Sequence, residues 1–593
     1  MASIVVSHIA RGYYRDSVWL MRLAQVLLKQ VGVQNVGIMM ATAANKSILR
    51  ESNLFGEGAD AAGANDIIIS VRADDGAAAE SVMSQAVASL QQPMPTGKAV
   101  FRTLGTALTA APDANLVLIS VPGMYAAGEA RAALNRGLNV MLFSDNVDVS
   151  DEIRLKSEAA ASGLLAMGPD CGTAIINGVG VGFANAVRRG TVGIVGASGT
   201  GIQEVSCLLD RAGLGISQAL GVGSHDVSAE VGGRAMLQCL DMLDADSETE
   251  VIVLVSKPPA QSVGKAIRDR ASRCQKPVVL CLLGADSELA TPAESWVSQC
   301  HLLEQVIPTV CRLVGHPWVS PESDFWISEL EFRAQLEDQR SRLKRGQNAV
   351  FGVYSGGTLR DQAVIVLTPL IGPIATNATL NPTHILNCTI VPATSLAIDV
   401  GADELTLGRA HPMIDPTLRS DLIQMGALAP RIGIVLFDVV LGQGAHPDPA
   451  GAAADAVINA RSTLQTEGRD VAFVASVVGV EADPQGFSRS RDRLIEAGVA
   501  VMPTTAQAAR FAAALVKGAL EPDALQFCEP PSLSPSPDRA SVGIWGGRTV
   551  VINIGLDHLH QSLESAGVTT LQVEWRPIAG GDPELAARLA LIT

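Results

Sequence analysis

The feature that most constrains this chain is the recurrence of short, unbroken apolar runs separated by longer amphipathic stretches. NLVLISV (115–121), NVMLFSD (139–145), TVGIVG (191–196), VIVLVS (251–256), PVVLCLL (277–283), RIGIVLFDV (431–439) and DVAFVASVVG (470–479) follow this pattern, and IVVSHIA (4–10) opens a small α/β unit. A strand with no sustained polar alternation has no face to give to water, so it belongs inside a parallel sheet covered by helices on both sides. The intervening segments supply those helices. In SVWLMRLAQVLLKQV (17–31), Val18, Leu20, Met21, Leu23, Ala24, Val26 and Leu27 form one broad apolar face. The expected fold class is α/β with several parallel-sheet domains.

Length and charge narrow the function. A chain of 593 residues has room for several domains at roughly 100 to 200 residues each. Hydrophobic residues make up 48% and charged residues 18%, the balance of a packed enzyme and not of a disordered chain. Asp and Glu number 60 against 44 Lys and Arg, a net charge of -16, so a nucleic-acid partner is not expected. No apolar run reaches the roughly 18 residues of a membrane span without a charge, Gly or Pro. MASIVVSHIARGYYRDS has no basic leader region and its apolar run is short, so export is not expected. The nine Cys are scattered without a CxxC pair, which points to buried thiols in a reducing cytoplasm, with neither a zinc knuckle nor a disulfide framework. No metal site is read from the His, Cys and acidic spacing.

Two turns stand out as places for chemistry. IVGASGTGIQE joins an apolar strand to a helix through Ser198, Gly199, Thr200 and Gly201. VYSGGTLRDQA repeats the design with Ser355, Gly356, Gly357 and Thr358. A helix start presents free N–H groups and the positive end of the helix dipole, so each turn suits a phosphate or carboxylate. The plain alternative is that the glycines only permit tight turns. GRAHPMIDPTLR (408–419) concentrates Arg409, His411, Asp415 and Arg419 in a Pro-punctuated loop. There His411 is a candidate proton donor and Arg419 a carboxylate clamp, or the loop is an ion-paired surface feature. LGQGAHPDP ends a strand at the usual ligand edge, with Gly442 and Gly444 allowing backbone approach. GPDCGTA brings Asp170 and Cys171 to a sheet edge, Asp170 as a catalytic candidate. His225, Lys257 and the GGDP turn (580–583) are secondary candidates.

RGYYRDSVWLM, ATAANKSIL, MGPDCGT, GASGTGIQE, EVGG, VSKPPA, YSGGTL, GRAHPMIDPTLR and INIGL resemble the FdrA family across essentially the whole chain. That family is in turn similar to succinyl-CoA synthetase. Residues 115–315 resemble the synthetase α subunit, and residues 348–516 the C-terminal domain of its β subunit. With the resemblance, the expected organisation is a small α/β domain (1–95), a Rossmann-like domain (96–190), an α-like flavodoxin-like domain (191–315), a charged linker (316–347), a β-like region (348–430 and 431–530) and a C-terminal segment (531–593). The chain departs from the synthetase in three ways. LLGADSELATPAESW stands where the phosphorylated His segment would be, no ATP-grasp domain is visible, and residues 1–95 replace the CoA phosphate loop.

The resemblance implies a subunit of an oxamate carbamoyltransferase, exchanging a carbamoyl group between an oxalurate-like ureido acid and phosphate in anaerobic allantoin catabolism. It implies YlbE-type and YlbF-type partner subunits and an oligomer, with carbamoyl phosphate as product and no cofactor. On this reading the two glycine turns hold phosphate, Arg409, Arg419, Gly442 and Gly444 bind substrate, and His411, Asp415 and Asp170 are catalytic. The alternatives are an ADP-forming acyl-CoA synthetase-like ligase subunit, with CoA or ATP as co-substrate, and a non-catalytic scaffold for the partners.

Overall fold

In the strand Val251–Ser256 every residue is buried, and the same holds for Ala349–Tyr354, Ile432–Val440 and Ala472–Val478. These strands form the middles of parallel sheets, as unbroken apolar runs demand. The computed structural model describes residues 3–63, 65–91, 101–284, 296–317, 327–377, 394–406, 410–518 and 548–577.

Among the described residues, the α-like half is built on a seven-stranded sheet. Its order is Val297–Cys300, Val278–Leu282, Val251–Ser256, Arg189–Gly196, Ile216–Gly221, Thr173–Ile176, Val179–Gly182, with the first five strands parallel and the last two antiparallel. The β-like half is a wholly parallel six-stranded sheet in the order Ala375–Thr376, Leu396–Asp399, Ala349–Tyr354, Ile432–Val440, Ala472–Val478, Ala500–Met502. Helices Gly199–Arg211, Gly357–Ile371 and Thr505–Lys517 lie between these sheets. One continuous core runs through both halves, from Ile194 and Val205 to Leu359 and Phe511.

Several expectations are corrected. The N-terminal sheet is antiparallel, in the order Ile4–Ala10, Ile67–Ala73, Val33–Met40. The outer two strands run parallel to each other and the third slots between them, a split βαβ arrangement that burial of IIISV in the centre favours. The boundary at 190 divides a sheet, because Thr173–Ile176 and Val179–Gly182 pair into the α-like half. Residues 348–430 and 431–530 share one sheet through the pairing of Ala349–Tyr354 with Ile432–Val440. The charged linker carries a helix, Glu329–Ser341, that is not merely exposed. Phe332 and Leu336 are buried, and the Phe332 ring meets Phe511 edge-on at 5.0 Å.

The C-terminal segment is no appendage. Val551–Ile554 and Thr570–Val573 complete a parallel five-stranded sheet with Leu116–Ile119, Asn139–Leu142 and Ala166–Met167. The register sets Val551 beside Leu116 and Ile554 beside Ile119. PPSLSPSPD (530–538) lies outside the described residues.

Candidate functional site

The C-terminal ends of the strands open on a cavity of about 530 Å³ whose wall draws on all four sheets. This is the edge at which parallel α/β sheets bind ligands. Strand Arg189–Gly196 leads through Ser198 into helix Gly199–Arg211, and strand Ala349–Tyr354 leads through Ser355 into helix Gly357–Ile371. Both helix starts face the same cavity and they touch. The Ser198 hydroxyl donates to Thr358 Oγ1 at 2.6 Å, across the two halves of the chain. A Cβ on Gly356 would lie 2.6 Å from Thr200 Oγ1 and Cγ2, so only glycine permits the approach. Gly356 has no side chain to cap its helix, and the first N–H groups of that helix are left for a ligand.

Lys257 follows strand Val251–Ser256 and extends to the same point. A Cβ on Gly357 would lie 2.7 Å from its Nζ, and 2.8 Å from Asp399 Oδ2. Nζ makes no hydrogen bond or ion pair among the described residues. Thr173 lines the cavity against Gly199, and its buried Oγ1 has no hydrogen-bond partner. Two helix starts worth about half a positive charge each, the Lys257 ammonium and an orphaned hydroxyl outweigh the Asp399 carboxylate beside them and make this end of the cavity an anion pole.

Asp438 holds the Ser355 turn in place. Its carboxylate accepts the Ser355 N–H at 2.9 Å and the Ser355 hydroxyl at 2.8 Å. Burial pushes the Asp438 carboxyl up to about 6 despite the neighbouring Arg419. Burial likewise lowers Arg419, so desolvation outweighs the attraction on both partners.

The expected site residues divide. Ser198, Gly199, Thr200, Ser355, Gly356, Gly357 and Thr358 line the cavity, as do Asp170 and His411. Gly201 does not, because its N–H is taken by Ser198 Oγ at 2.9 Å as the helix cap. Ser355 offers no N–H to a ligand, since that group is spent on Asp438. Asp170 accepts from Ser224 at 2.7 Å on the cavity rim. His411 sits against the Phe183 ring at 5.2 Å, and burial lowers it to about 4. It is therefore a neutral imidazole at pH 7, not a charged proton donor. Its Nδ1 accepts from Met413 N–H at 3.2 Å, which leaves the proton on Nε2.

Asp415 is not in the cavity wall. It accepts from the Thr417 N–H and hydroxyl, at 3.1 and 2.6 Å, where helix Thr417–Leu428 begins. Arg419 is no substrate clamp. It is 2% exposed and donates to Ser355 Oγ at 3.0 Å and to the carbonyls of Asp438 and Pro449 at 3.1 and 3.2 Å. Gly442 and Gly444 face protein instead of a ligand: their N–H groups donate to Gln485 Oε1 and Ser562 Oγ. Cβ atoms there would press on the Phe183 and Gly182 carbonyls. Cys171 is buried beneath Gly221 and its thiol is pushed up to about 12, which removes it as a nucleophile. Arg409 and the GGDP turn lie outside the described residues.

Sequence reasoning missed Thr173, Asp399 and the contribution of the N-terminal module, and it ranked Lys257 below the Arg409–Arg419 loop. The signal for Lys257 and Asp399 was present: each stands at the C-terminal end of an apolar strand, in VIVLVSK and LAID.

Family models match three stretches of the chain. They are described as CoA-ligase over residues 353–515, CoA binding domain over residues 187–282, and AllF, heavy metal-associated domain, over residues 2–102. The last description implies a soft metal, which thiolates and imidazoles hold. Residues 2–102 contain no Cys and one His, His8, on an exposed position of the first strand, so the thiolate and imidazole donors of such a site are missing and only Met thioethers remain as soft ligands. Uncharacterized protein YahF of Escherichia coli (strain K12) is 37% identical over 489 residues, 82% of this chain and 93% of its own length.

Succinate--CoA ligase [ADP-forming] subunit alpha 2 of Archaeoglobus fulgidus is 30% identical over 149 residues, 24% of this chain and 50% of its own length. The chain thus spans about half of that ligase subunit. Among solved structures, the apo dinucleotide-forming acetyl-coenzyme A synthetase 1 of Ca. Korarchaeum cryptofilum aligns with 68% of this chain and 82% of its own, at 15% identity and a TM-score of 0.24. The CoA-ligase family match and the succinate--CoA ligase relatives are ligases and not carbamoyltransferases, which overturns the expectation of a carbamoyltransferase. With YahF at this identity and coverage, the chain belongs to a succinyl-CoA synthetase-like family.

Proposed function

We propose that this chain is the acyl-transfer subunit of an acyl-CoA synthetase-type ligase, in the FdrA branch of its family. The observation that carries the reading is the convergence of two helix starts on one cavity, joined by the 2.6 Å Ser198–Thr358 hydrogen bond. An acyl phosphate held there places its phosphoryl oxygens on the N–H groups of Gly199, Thr200, Gly357 and Thr358, with Lys257 supplying the counter-charge. The CoA thiolate attacks the acyl carbon. A sulfur–carbon bond forms, the carbon–oxygen bond to the phosphoryl group breaks, and inorganic phosphate leaves with the electron pair. The charge that develops on the departing phosphate falls where the donors already point.

No histidine stands in LLGADSELATPAESW (282–296), so phosphate passes directly to or from the acyl group without a phosphohistidine. The step that makes or consumes the acyl phosphate with a nucleotide falls to partner subunits, of the YlbE and YlbF types that the FdrA resemblance implies. The test mixes acetyl phosphate and CoA with the purified chain, alone and with those partners, and follows thioester absorbance and released phosphate. Thioester forming with equimolar phosphate supports the reading. No thioester and no CoA binding in the partner-complete mixture overturns it, and leaves the chain as a scaffold.

A further inference from the structure

The N-terminal module lacks the thiolates and paired imidazoles of a soft-metal site, yet it is packed against the cavity. Tyr14, Asp16, Ser17, Met40, Thr42 and Asn45 all contribute to the cavity wall. The module is clamped in place. Val18 is buried in the core that spans the two halves, and the Tyr14 ring meets Trp575 edge-on at 5.4 Å.

Its polar groups are arranged by local structure. Asp16 caps helix Ser17–Leu28, with Oδ1 accepting the Trp19 N–H at 2.9 Å. The same carboxylate also takes the Val18 N–H, so its acceptors are spent on the helix start. Asn45 donates through Nδ2 to the Met40 carbonyl at 2.8 Å, which fixes the amide orientation and leaves Oδ1 without a donor. That Oδ1 is buried and has no partner. A buried acceptor without a donor costs about 1–3 kcal/mol, and here it lines a cavity. The wall that carries this acceptor belongs to a different module from the turns that form the anion pole.

We infer that the N-terminal module is the specificity wall of the ligand cavity and carries no metal. It selects a compact ligand with a phosphoryl or carboxylate group at one end and N–H or O–H donors at the other. The donor end meets Asn45 Oδ1, while the anionic end lies on the helix starts. This rests on the reading of the cavity as an acyl phosphate site, and it adds which acyl groups the site takes.

The experiment titrates the full chain with inorganic phosphate, with acetylphosphonate, whose tail is apolar, and with hydroxyacetyl- and aminoacetylphosphonate, whose tails donate. The parent chain is expected to bind the donor-tailed phosphonates more tightly than acetylphosphonate. In Asn45→Ala that preference drops roughly fivefold to tenfold while phosphate affinity stays within twofold. Asp16→Asn guards against a folding artefact, because Asn caps a helix as well as Asp does; it leaves the Asn45 acceptor in place and is expected to keep the preference.

Equal weakening of phosphate and donor-tailed ligands in Asn45→Ala, no change in it, or the same loss of preference in Asp16→Asn overturns the inference. A parent that binds phosphate but does not discriminate among tails overturns it alone. A parent that binds none of the four ligands overturns the acyl phosphate reading as well. In a separate arm, Zn(II) and Cu(I) are titrated into the full chain. Binding at one ion per chain that His8→Ala removes would overturn the statement that the module carries no metal.

Discussion

Replacing Arg419 by Met tests whether the Ser355 turn is held by a buried ion pair. Arg419 is 2% exposed and Asp438 is fully buried, with Nη1 3.8 Å from Asp438 Oδ1. Met fills much of the aliphatic volume but removes the hydrogen bonds to Ser355, Asp438 and Pro449. What remains is a buried carboxylate held only by the Ser355 donors. Breaking such a pair from one side costs about 3–5 kcal/mol, whereas removing both charges is often close to neutral.

The expected outcome in urea unfolding followed by circular dichroism is a loss of about 3–5 kcal/mol for Arg419→Met. The double variant Arg419→Met/Asp438→Asn recovers more than half of it, because Asn still accepts from Ser355 and no charge is stranded. A single variant within about 1 kcal/mol of the parent, or a double variant no more stable than the single, would refute the argument. Arg419 would then contribute nothing to holding the turn.

The same carboxylate gives a pH signature. Asp438 titrates near 3.8 when unfolded and at about 6 when folded, so between those values the folded chain holds a proton the unfolded chain has released. Stability is full below pH 4 and falls as pH rises to about 6, by on the order of 3 kcal/mol; stability curves of Asp438→Asn lack that fall. Gly356→Ala drives a Cβ into Thr200 and weakens phosphate binding at least tenfold by calorimetry, with Thr200→Ala restoring part of it. The ring protons of His411, lowered to about 4 by burial, keep their neutral-form NMR shifts down to about pH 5. Cys171, pushed up to about 12, resists thiol reagents in the native chain and reacts in urea.

The parallel sheets were legible because their strands are apolar on both faces, and VIVLVS and RIGIVLFDV have no other place to go. The helix starts were legible for a related reason, since a strand, a Ser and two glycines before a helix leave little freedom in where the N–H groups point. The role of Arg419 was not legible. An Arg in a Pro-rich loop has the same spelling whether it faces a ligand or a carboxylate twenty residues on, and only the pairing of Ile432–Val440 with Ala349–Tyr354 brings Asp438 to Ser355. The N-terminal wall was hidden for the same reason: nothing local in TAAN or YYRDS states which other sheet it will meet.

The strands Val551–Ile554 and Leu116–Ile119 lie side by side yet are separated by most of the chain. During synthesis, Leu116–Ile119 is made long before Val551–Ile554 and waits with an open, apolar edge until that strand leaves the ribosome. That edge is a template for pairing with any passing strand. This sheet therefore closes only once Val551–Ile554 has emerged, and a ribosome stalled before residue 548 releases a chain with three sheets finished and one adhesive. Expression in hosts short of chaperones should lose this protein to aggregation in proportion to the delay before Val551–Ile554 is made, and rearranging the gene so that this strand is made before Leu116–Ile119 should relieve it.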